Sequence, residues 1–275
     1  MAIAPGVRVG LLDGFTLRLS GGDAGAAADL PRGVQRLVAH VCHTGRPARA
    51  AIAGRLWPDV TDAHAHGSLR SALWRVQRDV PGLLDLSGGA LSLAAGVQVD
   101  VRELTDWARR AMDPAAPPEG RPGNVDLDGE LLPGWYDDWV LLEREWLRQL
   151  RVHAFEAVAG KLSAAARYGE AVVAAYAALR ADPLRESAHR TVVRIHLAEG
   201  NLVEAVRAYQ ACRDLFADQL GVAPTPEMSG LVRGLPGCVV VGAPLLACRT
   251  AIASPERPGR VLTAAPERHG SPESA

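Results

Sequence analysis

The stretch HAHGSLRSALWRVQRDV, residues 64–80, decides the reading of the fold. Its aliphatic residues Leu69, Leu73, Val76 and Val80 recur at helical spacing. On a wheel at about 100° per residue they fall within an arc of about 60°. The opposite side carries Arg70, Ser71, Trp74, Arg75 and Arg78, with no acid in the stretch before Asp79. One stripe suits packing on a domain; the other is free for a groove. A helix with a solvated, arginine-rich face would give the same pattern, so the neighbouring elements have to decide.

Two shorter helices precede it. Pro31 opens the first, with Val34, Leu37, Val38 and Val41 on one stripe, and Gly45-Arg46-Pro47 closes it. The second places Ile52, Leu56 and Trp57 together and stops at Pro58. After the Arg-rich helix, Pro81-Gly82 breaks the chain. LLDLSGGALSL then reads as a hairpin, with Leu84 and Leu86 before a Ser-Gly-Gly turn and Leu91 and Leu93 after it. Val97, Val99 and Val101 continue an alternating, strand-like pattern. At the start of the chain, Val7, Val9 and Leu11 alternate, as do Phe15, Leu17 and Leu19. Asp13-Gly14 between them is a hairpin signal, because both turn residues tolerate positive φ. SGGDAGAAAD, residues 20–29, reads as a flexible loop. Three helices followed by a hairpin is the plan of a winged helix-turn-helix, in which the third helix enters the groove and the hairpin is the wing.

Residues 113–128, DPAAPPEGRPGNVDLD, form a Pro- and Gly-rich linker or surface loop. Beyond it the chain turns helical. A long helix is expected with Leu142, Trp146, Leu150, Ala154 and Val158 on one line, followed by helices over 170–181, 184–198 and 203–220. Residues 169–178 align with 203–212 at an offset of 34, matching Glu170/Glu204, Ala171/Ala205, Val172/Val206, Ala174/Ala208 and Ala177/Ala211. That is the length of a tetratricopeptide helix pair. The expected fold class is mainly α with a small β component: a winged helix-turn-helix, then a tetratricopeptide-like helical bundle. The expected boundaries are 1–106 for the winged helix, 107–130 for a connection, 131–235 for the bundle and 236–275 for a disordered tail. The apolar patch 238–248 reads as an edge strand or a segment buried by a partner.

Charge is local. The whole chain of 275 residues has a formal charge of −1. Residues 32–78 hold eight arginines against Asp59 and Asp62, whereas residues 1–106 hold 11 arginines against 10 acids. Lys161 is the only lysine. Arginine-rich usage fits a GC-rich genome, and its planar fork of donors also suits phosphates and guanine edges. Residues 1–6 lack the basic start and apolar core of a secretory signal, and the longest apolar stretch falls short of the ~20 residues that span a bilayer. Cysteines 42, 212, 238 and 248 have no C-x-x-C spacing, so neither a zinc site nor a redox motif is indicated. A cytoplasmic location is expected, with no membrane partner.

Motifs for catalysis are missing: no G-x-x-x-x-G-K-[ST], no G-x-S-x-G and no H-E-x-x-H. No cofactor, metal or enzymatic activity is expected. His64 and His66 lie near a helix start, where phosphate contact or simple exposure fits better than metal binding without a third ligand. Trp74 suits either core-edge packing or a sugar or base contact. Asp137-Asp138 is placed to cap the following helix.

Several segments together resemble a known family. AIAGRLWPDV, AHGSLRSALWRVQRDVPGLL, VQVDVREL, GELLPGWYDDWVLLEREWLRQL and ADPLRESAHRTVVRIHLAEGNLVEAVRAYQACRDLFADQLGVAPTPEM are similar to the bacterial transcriptional activation domain regulators, such as the Streptomyces antibiotic regulatory proteins. The likeness runs from about residue 7 to residue 235. It implies a winged helix binding double-stranded promoter DNA, with the helix around Arg70 to Arg78 in the major groove and the hairpin near residues 87–90 at the minor groove. It implies a helical domain supporting homodimerisation and contact with RNA polymerase, and binding to tandem direct repeats. The expected DNA-binding residues are Arg46, Arg49, His64, Arg70, Ser71, Trp74, Arg75 and Arg78, with Arg46 and Arg49 on the backbone near the second helix. Larger members append an ATPase domain, for which no motif is present. The near-neutral first 106 residues keep a second reading open: a helical interaction scaffold whose winged helix no longer binds DNA.

Overall fold

A computed structural model describes residues 6–19, 30–118 and 127–235. The loop 20–29, the centre of the 113–128 linker and the apolar patch 238–248 lie outside the described residues. The element order is β1 (Val7–Gly10), β2 (Thr16–Leu19), α1 (Arg32–Thr44), α2 (Arg49–Leu56), α3 (Asp62–Asp79), β3 (Leu84–Asp85), β4 (Ser92–Leu93), β5 (Gln98–Val99), α4 (Asp100–Met112), α5 (Asp138–Ala164), α6 (Tyr168–Ala181), α7 (Glu186–Glu199), α8 (Leu202–Leu220) and α9 (Pro226–Leu231). The fold is mainly helical with two small sheets, a winged helix-turn-helix followed by a helical bundle.

β1 and β2 form the expected hairpin, with Val7 opposite Leu19 and Val9 opposite Leu17. Asp13 and Gly14 both take positive φ, 59° and 125°. The turn is wider than two residues, since Gly10 pairs with Thr16. Val7, Val9, Leu11 and Leu17 are buried, whereas Leu19 is exposed at the end of its strand. β5 adds to the other edge of β1 in parallel, with Val9 beside Val99, giving the order β2-β1-β5.

The alternating run through Val101 is corrected by the structure. Val99 ends β5, and Val101 already lies in α4, a helix the sequence reading passed over. Asp100 marks the junction. Its buried carboxylate accepts the backbone N–H groups of Leu11 (2.8 Å), Leu12 (2.9 Å) and Val101 (2.7 Å). Burial raises the Asp100 carboxyl above the usual carboxylate range, opposed by those three N–H groups. Gly10 leaves room beside it: a Cβ there would lie 2.3 Å from Thr16 Oγ1.

The stripe expected along the long helix is also corrected. In α5, Leu142 and Trp146 are exposed and Leu150 is half-buried, whereas Ala154 and Val158 are buried as expected; Trp139, Val140, Leu147, Val152 and Phe155, off that line, are buried too. The first turns of α5 pack on α1, where His40 meets Trp139 edge to face at 5.3 Å. Further along, Phe155 meets Trp107 of α4 at 5.1 Å. Asp137 occupies the N-cap position of α5 without capping it, because its carboxylate pairs with Arg36.

The connection before α5 is held as a strap. Leu132 N–H donates to the Leu11 carbonyl at 2.8 Å and Asp13 N–H to the Glu130 carbonyl at 2.7 Å. Leu12 and Leu131 form an antiparallel bridge. Arg144 donates to the carbonyls of Leu131 and Leu132, and Arg151 to that of Gly129. One apolar core therefore runs from Val7 to Ile195, and a second gathers α7, α8 and α9 around Tyr209, Phe216 and Met228. Residue 106, the expected end of the winged helix, lies inside α4.

α6 and α8 start exactly one repeat apart, at residues 168 and 202. Ala171 and Ala205 are both fully buried, so the matched small residues bring backbones close. Ala211 is exposed where Ala177 is buried. Gly200 and Gly221 end α7 and α8 in the left-handed conformation that spares only glycine a steric cost.

Candidate nucleic-acid interface

α3 has the two faces its sequence requires. Ala65, Leu69, Ala72, Leu73 and Val76 are buried, and Val80 closes the helix beneath them. Arg70, Ser71, Trp74, Arg75 and Arg78 are all exposed, Trp74 by 58%. Trp74 is therefore not a core residue. Arg70 and Arg75 form no ion pair or hydrogen bond with the described residues. Arg78 differs: its guanidinium lies 4.7 Å over the Trp74 ring and its Nε donates to Asp79 Oδ1 at 2.6 Å. His64 is exposed on the first turn, its Nδ1 2.8 Å from Thr61 Oγ1.

A shallow groove of about 740 Å³ runs beside α3, walled by Pro31, Val34, Trp57, His64, Arg70 and Arg75. On α2, Arg49 and Arg55 are exposed and without an ion-pair partner among the described residues, but neither lines this groove: Arg55 faces a separate hollow shared with Asp137 and Trp139. Arg55 was not singled out by the sequence reading; it signals itself only as one more cation in the 32–78 charge excess. By contrast, arginines of the bundle are mostly committed. Arg148 bonds Glu145 at 2.7 Å and Asp182 at 2.6 Å, Arg167 pairs with Glu170, and Arg190 lies between Glu186 and Glu227.

The hairpin after α3 is short. Leu84 pairs with Leu93 and Asp85 with Ser92, and the Ser-Gly-Gly turn is a single 3-10 turn, Ser87–Gly89. Asp85 shapes it by accepting Ser87 N–H at 3.0 Å and Ser87 Oγ at 3.1 Å. The returning chain is tied to the α1–α2 connection, through an Ala48–Ala90 bridge and Leu91 N–H to the Pro47 carbonyl at 3.0 Å. Arg46 reaches the tip, 3.5 Å from Ser87 O and Oγ. The hairpin itself holds no cation. The eight sequence-predicted residues thus share one side of the winged helix only in part. Arg70, Ser71, Trp74, Arg75 and Arg78 line α3, His64 stands at its start, Arg49 opens α2, and Arg46 sits by the wing.

Residues 127–235 match the family described as the bacterial transcriptional activator domain. The chain thus carries a segment of the bacterial transcriptional activator domain type over that range, and beyond it resembles regulators that contain such a domain. Over 202 residues, 68% of the chain, it is 29% identical to the regulatory protein AfsR of Streptomyces coelicolor. The chain spans only about a fifth of AfsR, 20% of its length. Its fold is similar to that of Mycobacterium tuberculosis EmbR, solved in complex with a low-affinity phosphopeptide: the TM-score is 0.59 at 19% identity, over 82% of this chain and 64% of EmbR. The activator domain begins at the strap and takes in α5 to α9. Among the described residues, no helix is long and apolar enough to cross a membrane.

Proposed function

We propose that this regulator binds double-stranded promoter DNA through α3 and activates transcription. The single observation carrying the reading is the outer face of α3. Arg70 and Arg75 stand exposed and uncommitted on a helix whose other face is sealed into the core. Guanidinium groups so placed can take phosphates or a guanine edge. Ser71, Trp74 and Arg78 complete the face, His64 lies at its start, and Arg46 and Arg49 meet the backbone on either side. Residues 1–106 act as the DNA-binding unit and 131–235 as the activator domain, which contacts RNA polymerase and a second copy of the chain on tandem direct repeats. The protein works in the cytoplasm.

A gel-shift titration with promoter fragments recovered from cells tests this. Arg70→Ala and Arg75→Ala should each weaken binding by about 1–3 kcal/mol if they read a base. Variants that bind as the unsubstituted chain does would remove the assignment. The scaffold reading draws on the near balance of 11 arginines and 10 acids in residues 1–106. It requires that no DNA fragment bind with a salt-dependent affinity.

A further inference from the structure

Arg78 sits on the outward face in the last turn of α3, and it is the one arginine there that is already occupied. Its Nε donates to Asp79 Oδ1 at 2.6 Å and its Nη2 to Asp79 Oδ2 at 3.1 Å. The ring of Trp74 supports the guanidinium from one side. Both side chains remain open to solvent, Arg78 by 55% and Asp79 by 27%. This side-on fork is the geometry in which a guanidinium takes a phosphate.

Asp79 has little to do for the helix. It is the last residue of α3, where a carboxylate faces the partial negative charge of the helix C-terminus. Among the described residues its carboxylate bonds only Arg78. That bond raises the Arg78 pKa and lowers that of Asp79, with the Arg75 charge adding to the second effect.

We propose that Asp79 is an internal competitor for DNA phosphate, holding Arg78 in a pair that a duplex must open and so setting the DNA affinity of α3 below what its arginines would give. The inference rests on α3 as the DNA-binding helix. A phosphate taken by Arg78 has to displace the carboxylate from the same Nε–Nη2 edge. The displaced carboxylate then stays near the duplex as a like charge. Neither effect depends on base sequence, so the restraint applies to any duplex.

The full chain is titrated against a mixed-sequence duplex of about 30 base pairs, between about 50 and about 200 mM salt. Asp79→Asn should lower Kd roughly three- to tenfold at the low-salt end and steepen the slope of log affinity against log salt by about 0.9, one phosphate contact. Asp79→Ser should do the same, excluding a contact peculiar to asparagine. Arg78→Ala should abolish the gain in the Asp79→Asn background. Thermal midpoints report that the variants are folded. Weaker binding by Asp79→Asn overturns the proposal, since Asp79 would then be positioning Arg78. An unchanged slope overturns it too. A chain that binds no duplex at any salt overturns the DNA-binding reading itself, and this inference with it.

Discussion

Asp100 shows how much one side chain can hold. Its two oxygens accept three backbone N–H groups, joining the turn after β1 to the first turn of α4. Removing the carboxylate leaves those donors buried and unpaired, at a cost of about 1–3 kcal/mol for each that water cannot reach. Asp100→Ala should therefore lower unfolding stability by roughly 2–4 kcal/mol in a denaturant titration, without loss of the bundle's helical signal at low denaturant. A loss below about 0.5 kcal/mol would mean that the turn finds other acceptors. The sequence hid this residue. Asp100 lies between Val99 and Val101 in a run whose period of two continues across a strand–helix junction, so the local pattern extends β5 where tertiary hydrogen bonds begin α4.

At the scale of elements, α3 was legible with both its faces, whereas α5 was legible as a helix but not in the buried side of its first turns. α3 packs on one side only, and its two faces differ in chemistry from end to end. α5 has 27 residues and changes partners along its length, first α1, then α4, α6 and α7. Apolar residues therefore occur on several sides, and the line through Leu142 and Trp146 is as regular as the line that is buried. The repeat at offset 34 was legible as alanines, and the structure gives the reason at Ala171 and Ala205, each fully buried. Ala205→Leu should cost about 1–3 kcal/mol by overpacking α8 against α7. Ala211→Leu, on the exposed side of the same helix, should stay within about 0.5 kcal/mol. Equal losses from the two, measured by thermal unfolding, would remove the repeat's structural meaning. Of the candidate interface, the arginines on α3 were readable from spacing. The engagement of Arg78 was not, because a neighbouring acid in sequence says nothing about which way its carboxylate turns.

On the scale of the whole molecule, the seam between α1 and α5 couples stability to acidity. His40 lies against Trp139, and His43 bonds Glu143 at 2.8 Å. Burial, aided by the charges of Arg55 and His43, holds the His40 imidazole down at about 4. Burial and the charges of Arg55 and Arg102 lower His43 as well. An unfolded chain binds the His40 proton near 6.5, the folded chain only near 4. The unfolded state therefore binds more protons between those values. The stability from neutral His40 is present above about pH 6.5 and is lost as pH falls, by up to about 3 kcal/mol at pH 4. His40→Phe keeps a ring against Trp139 and removes the titration. Its thermal midpoint should fall less than that of the unsubstituted chain between about pH 7 and about pH 5, with His43 supplying the remaining slope. Parallel curves for the two proteins would remove His40 as the source.

A 27-residue helix is about 40 Å long. In α5 that rod starts on the domain that carries α3 and ends among the helices of the activator domain, with the strap bolted to its side by Arg144 and Arg151. The helix is unbroken over that length, so its two ends are joined by continuous backbone hydrogen bonds and by no loop.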